Sequence, residues 1–203
     1  MISTRDQQAE STRVKILNFA AEEVLRSGFQ SASVGEIIRK AGVSKGCFYH
    51  HFPTKQELGY AVLDEMFTRV KTEIWEPILS SDNPLESIIN MYENPDHEVD
   101  CERIKHGCPI NNLAQEMSPI DEGFRERIEI IYSSWKERLT ESLHACQKKG
   151  YMNNDVQASD IATLIMAVTQ GAVGIAKNSQ QPESFTEYTR GLSQYLRELQ
   201  IRK

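Results

Sequence analysis

Between His97 and Cys108, a span of twelve residues, the chain carries two imidazoles and two thiols, His97, Cys101, His106 and Cys108, beside Asp96 and Asp100. Such a set could hold zinc. The spacing His-x3-Cys-x4-His-x-Cys matches no common finger, however, and polar loops collect these residue types by chance. Cys101 with Cys108 could also form a redox pair, although seven residues of separation fix no geometry. His50 and His51 are adjacent bases, yet no glycine-rich phosphate loop, nucleophile elbow or carboxylate pair on a recognisable scaffold accompanies them. No catalysis, cofactor or assigned metal site is expected; a metal-sensing role is the minor alternative.

A denser pattern lies in Ser33 to Lys55, SVGEIIRKAGVSKGCFYHHFPTK. Ile37, Ile38 and Ala41 recur at helical spacing opposite Arg39 and Lys40. Ser33 with Glu36 forms a capping box at the start of this helix, and Gly42 supplies the left-handed backbone for a sharp exit. Ser44 caps a second short helix to about His51, on which Phe48 should face inward, as should Phe52. Lys45, Tyr49 and His50 suit a polyanion, Gly46 allows close backbone approach, and Lys55 stands in the first turn of the next helix, within reach of a phosphate. The plain alternative is a helical hairpin with a solvated face.

At 203 residues the chain is long enough for one large or two modest domains, and 39% hydrophobic with 26% charged residues are ordinary globular values. No apolar run approaches a membrane span, and the opening MISTRDQQAES lacks a secretory core, so a cytoplasmic protein with reduced cysteines is expected. The net charge of −6 is unevenly divided: residues 1–60 hold eight Lys/Arg and six Asp/Glu, net +2, and the other 143 residues hold −8. Only the front end suits phosphate.

The periodicity predicts helices throughout, with no strand alternation. Residues 1–11 read as a flexible arm on which Arg5 could touch DNA, with disorder as the safer expectation. Helices follow at about 12–27, from Thr54 to about Leu79 where Pro77 helps to end it, then at 85–92, 109–117, 119–149, 155–177 and 182–200, with a polar stretch at 93–107. The last two carry broad apolar stripes, and Gly171, Ala172 and Gly174 permit close helix approach. They read as a dimer surface, with completion of the monomer core as the alternative.

Gly28-Phe29 followed by AGVSKGCFYHHFPTK resembles the amino-terminal domain of the TetR family of bacterial transcriptional regulators. The resemblance implies an all-α fold in which a three-helix helix-turn-helix domain, residues 1–54, is joined by a long helix to an effector-binding and dimerisation domain, residues 55–203. It places the DNA-facing positions at Ser33, Val34, Gly35, Ser44, Lys45, Gly46, Cys47, Tyr49, His50 and Lys55. Gly35 departs from members that use a longer side chain there, so the operator sequence does not carry over.

The same resemblance implies a homodimer on a palindromic operator, most often as a repressor released by a small molecule. Its effector pocket would draw on Trp75, Met91, Tyr92, Cys108, Met117, Phe124, Ile128, Tyr132, Trp135, Met166 and Gln170, residue types that suit an apolar or aromatic ligand and serve equally as plain core. Its four-helix dimer bundle would use Ile161, Leu164, Ile165, Val168, Gly171, Ala172 and Ile175 with Tyr188, Leu192 and Tyr195. The run GCPINNLAQE, residues 107–116, resembles a branch with members responsive to electrophiles, oxidants or reactive acyl compounds. Cys108 would be the matching thiol, favoured as thiolate at a helix start and near Lys177; a space-filling cysteine is the alternative.

Overall fold

The computed structural model describes residues 4–94 and 101–201, whose regular elements are all helices, with short turns between them and one isolated bridge, Met152 with Gln200. The order is α1 (Thr4–Ser27), α2 (Val34–Ala41), α3 (Lys45–His51), α4 (Lys55–Val70), a π-helical stretch (Lys71–Trp75), α5 (Glu76–Leu79), α6 (Pro84–Glu93), α7 (Cys101–His106), α8 (Pro109–Met117), α9 (Glu122–Lys148), α10 (Ala158–Ser179) and α11 (Ser184–Glu198).

Two apolar cores hold them. The lower one gathers Ile16, Ala20, Ile37, Phe48, Phe52, Leu58 and Val62 with Ile110, Leu113, Phe124 and Ile128. It therefore extends past residue 54 into α8 and the first half of α9. The upper core gathers Trp75, Leu85, Ile88, Tyr92, Leu139, Ile165, Phe185 and Leu196. The long helix α4 leaves the lower core and reaches the upper one through the π stretch. Pro77 explains that stretch: it has no N–H, and its ring would collide with the carbonyl of Glu73 one α-turn back. Widening the helix just before it relieves the clash, and the Glu76 N–H closes on the Lys71 carbonyl five residues earlier.

Several boundaries correct the reading from sequence. The first helix starts at Thr4, not near Thr12, so the expected arm is helical from that residue. The polar stretch before Gly107 contains α7, because Ile104 is buried against the upper core and Gly107 ends the helix at φ 79°. Helix α9 starts at Glu122 rather than at Pro119. Asp121 caps it, accepting the Phe124 N–H at 2.9 Å while also taking the Tyr60 hydroxyl at 2.9 Å and a Gln56 amide N–H at 2.6 Å. Three donors converging on one carboxylate outweigh the local Ser-Pro signal, and the Phe124 N–H bond above all holds the Asp121 carboxyl below its usual range.

Helix α10 is long and apolar enough to cross a membrane by length and composition, contrary to the expectation for this chain. Its apolarity has two sides. One packs on α7, α9 and α11, and the other faces outward.

Candidate DNA-binding surface and internal cavity

The hairpin is built by its caps. Ser33 Oγ accepts the Glu36 N–H at 3.3 Å, Ser44 Oγ the Cys47 N–H at 3.1 Å, and Thr54 Oγ1 the Glu57 N–H at 3.1 Å. Gly42, at φ 63°, turns the chain between α2 and α3. Phe48 and Phe52 are buried beneath α3 with ring centroids 6.1 Å apart, which fixes the helix's rotation. Ser33, Gly35, Ser44, Lys45, Gly46, Tyr49 and His50 are consequently exposed, with Val34 and Cys47 half-buried beside them. Lys45 Nζ lies 6.0 Å from the Tyr49 ring centroid, so cation and phenol form one polar edge.

Lys55 behaves differently from its neighbours. Its Nζ donates to the Gln30 carbonyl at 2.9 Å and rests 5.2 Å from the Phe29 ring centroid, so it must leave both to reach a phosphate. The same loop is held from the other half of the chain by Glu116 on α8, whose carboxylate accepts the Phe29 N–H at 2.9 Å and the Gln30 N–H at 2.7 Å. Gly28 makes this clamp feasible: it sits at φ 80°, and a Cβ there would lie 3.1 Å from the carboxylate. No local signal marks Glu116 in the sequence, because its partners lie 86 and 87 residues away.

Above the clamp, where the two cores meet, is a cavity of about 480 Å³. Of the expected pocket residues, Trp75, Met91, Cys108, Tyr132, Trp135 and Gln170 line it, joined by Leu25, Met66, Ile74, Pro109, Val173 and Phe185 among others. Periodicity cannot separate that second group from ordinary core. Trp75 and Trp135 pack with centroids 4.8 Å apart and their ring planes tilted by 57°.

Met117, Phe124 and Ile128 do not reach the cavity and belong to the lower core. Phe124 is fully buried, with the Phe29 and Tyr60 rings each 5.0 Å away. Tyr92 is turned into the upper core, where its hydroxyl lies 2.7 Å from Thr169 Oγ1, and Met166 packs on that core without lining the cavity.

Cys108 is the N-cap residue of α8, is half-buried by exposure and lines the cavity. Burial pushes it above the usual thiol range, more strongly than the Asn111 and Ile110 backbone N–H groups and the Gln170 side chain pull it down. The thiolate expected from its place at a helix start is thus disfavoured. Lys177 takes no part: its stem crosses Gly107 and its Nζ donates to Asn112 Oδ1 at 3.0 Å. Burial also raises the Tyr132 phenol, so the wall is uncharged at both groups. Alkylation of Cys108 by monobromobimane should therefore be slower than that of free cysteine at pH 7.5 and should climb only above the ordinary thiol range. A rate equal to free cysteine at pH 7.5 would overturn this assignment.

Among the described residues no group of three or more His, Cys, Asp or Glu is placed to hold a metal. His97, Asp96 and Asp100 lie outside the described residues, as does the side chain of Cys101, so neither the zinc set nor the Cys101–Cys108 pair is described; Cys47, Cys108 and Cys146 are free thiols.

On α10 and α11 the expected dimer residues divide. Ile161, Ile165, Ala172 and Leu192 are buried in their own chain, whereas Leu164, Gly171, Ile175, Tyr188 and Tyr195 are exposed and Val168 is half-buried. Positions 164, 168, 171 and 175 recur on one side of α10, and 188 and 195, seven apart, recur on one side of α11.

Comparison with known proteins agrees with this architecture. Residues 16–62 match the family model described as bacterial regulatory proteins, tetR family, and residues 84–190 match that of the LmrA/YxaF-like transcriptional regulator C-terminal domain. The chain is 31% identical over 138 residues to an uncharacterised HTH-type transcriptional regulator in the lacX 3′ region of Lactococcus lactis, covering 66% of this chain and 69% of that one. It is 26% identical over 174 residues to the HTH-type transcriptional regulator LmrA of Bacillus subtilis, covering 83% and 89%. In fold it is similar to the crystal structure of a TetR-family transcriptional regulator from Cytophaga hutchinsonii, with a TM-score of 0.83 at 19% identity over 97% of this chain and 98% of that one. With a capped helix-turn-helix below and an LmrA/YxaF-like helical body above, this chain belongs to the TetR family of bacterial transcriptional regulators, which bind DNA and are not catalysts.

Proposed function

We propose that the protein is a homodimeric repressor that holds a palindromic operator through α3 and the ends of α2 and α4, and that a small molecule entering the cavity releases it. The observation that carries this reading is the position of the cavity at the junction of the two cores. Its wall includes the π stretch that continues α4, and Pro109 and Ile110 of α8, the helix that bears Glu116. A ligand there touches both routes to the hairpin. One runs down α4; the other runs through α8 and Glu116 to the loop that also engages Lys55. A ligand that favours a different spacing of the two recognition helices lowers operator affinity by the ratio of its affinities for the two states.

The exposed residues of α10 and α11 supply the dimer face in this reading, since a palindromic site needs two recognition helices about one DNA turn apart. Gating by covalent modification at Cys108 is the second reading. It is favoured by the place of Cys108 in the cavity lining and disfavoured by the desolvation that raises its thiol above the usual range.

The test is a mobility shift on the DNA upstream of the protein's own gene. Wild type should bind. Tyr49→Phe should lose roughly three- to tenfold, the worth of one hydrogen bond. Lys45→Ala should weaken all sequences alike and lower the slope of log affinity against log salt by about one per half-site. Unchanged affinity and slope in both variants would mean that this face does not contact DNA.

A further inference from the structure

Two residues that line the cavity each bury a polar atom with no hydrogen-bond partner among the described residues: Trp135 Nε1 and Gln170 Oε1. Native folds leave few such atoms, and each asks for an explanation. An indole N–H can only donate and an amide oxygen can only accept, so the two call for opposite groups. The hydroxyls of the lining residues are already engaged within the protein, Tyr132 with Asn111, Ser134 with the Ile131 carbonyl, and Thr169 with Ile165 and Tyr92.

Charge narrows the choice further. The arginines at the rim, Arg69, Arg103 and Arg138, pair with Glu65, Glu73 and Glu76. The charged lining residues balance, with Arg69, Lys71, Arg103 and Arg138 against Glu22, Glu76, Glu137 and Glu141. The lining therefore offers no net positive charge to an anion, and burying an unpaired charge is costly. The indoles of Trp75 and Trp135, tilted 57° to each other, give the wall an aromatic lining that favours a flat apolar body.

We propose that the cavity binds an uncharged molecule with a planar apolar body and a polar edge that offers an acceptor to Trp135 Nε1 and a donor to Gln170 Oε1, the pattern an aryl carboxamide carries. The inference rests on the reading of this cavity as the effector site.

The chain contains only two tryptophans, and both line the cavity, so intrinsic fluorescence reports on its walls. The full-length protein is titrated with 2-naphthamide, 2-naphthoate and 2-methylnaphthalene. Naphthamide should quench saturably and bind at least about tenfold more tightly than naphthoate. Trp135→Phe and Gln170→Leu should each weaken naphthamide about three- to tenfold and leave methylnaphthalene unchanged, which also controls for folding. If a variant loses methylnaphthalene as well, the wild-type preference for naphthamide over naphthoate decides. Equal binding of amide and carboxylate, binding of none of the three, or variants that bind naphthamide like wild type would overturn the inference. Operator binding measured without any compound tests the regulator reading separately. A chain that binds DNA but does not prefer the amide overturns only the ligand class, and one that prefers the amide but never binds DNA overturns only the regulator.

Discussion

Phe124→Ala should lower the melting temperature by on the order of 10 °C and leave selectivity among cavity ligands unchanged. Deleting a fully buried phenylalanine typically costs about 3–5 kcal/mol, the transfer term plus the hole left behind, and in a domain of this size each kcal/mol moves the midpoint by about 2–4 °C. The ring has nowhere to collapse. It is clasped by Phe29 from the loop after α1 and by Tyr60 from α4, and those elements are anchored by the Glu116 clamp and the Asp121 cap. The loss therefore falls on the contact between hairpin and body, and operator affinity should drop with it. Thermal melts and the fluorescence titration, run side by side, check both halves. A variant with an unaltered melt and altered ligand preference would return Phe124 to the cavity wall.

Ile175→Glu combined with Tyr188→Glu should convert the proposed dimer into a folded monomer with operator affinity lower by roughly two to four orders of magnitude. Both side chains are exposed, at 40% and 49%, so the chain's own core does not depend on them. In a two-fold interface each glutamate meets apolar surface, and copies of the same charge meet near the axis. Without the partner, the second half-site contact is no longer intramolecular, and the gain from effective concentration is lost. Sedimentation velocity reads the assembly, a melt above room temperature shows the monomer is folded, and the mobility shift reads the affinity. A variant that still sediments as a dimer would place the interface elsewhere.

The helix-turn-helix was legible because its signals are local. Ser33, Gly42, Ser44 and Thr54 each act on backbone within three or four residues, and the burial of Phe48 and Phe52 follows from their four-residue spacing across the end of one short helix. Such interactions need no knowledge of the rest of the chain. The all-helical fold and the family could be read for the same reason: periodicity and a dense motif both survive without tertiary context.

What tertiary structure alone decided are the choices between equivalent local patterns and the contacts across long separations. Helix α10 carries apolar residues on two sides, and a period of 3.6 cannot say which side meets its own core; packing on α7, α9 and α11 assigned Ile161, Ile165 and Ala172 inward and Leu164 and Ile175 outward. Phe124 and Trp135 lie on the same helix with the same apolar character, yet one fills the lower core and the other the cavity wall, because the two cores meet between them. The helix start at Cys108 argued for a thiolate, but burial, a property of the whole fold, outweighed it. Glu116 reaches its partners across 86 and 87 residues of chain, a distance over which sequence pattern carries no geometry and only the folded packing of α8 on α4 and α9 does.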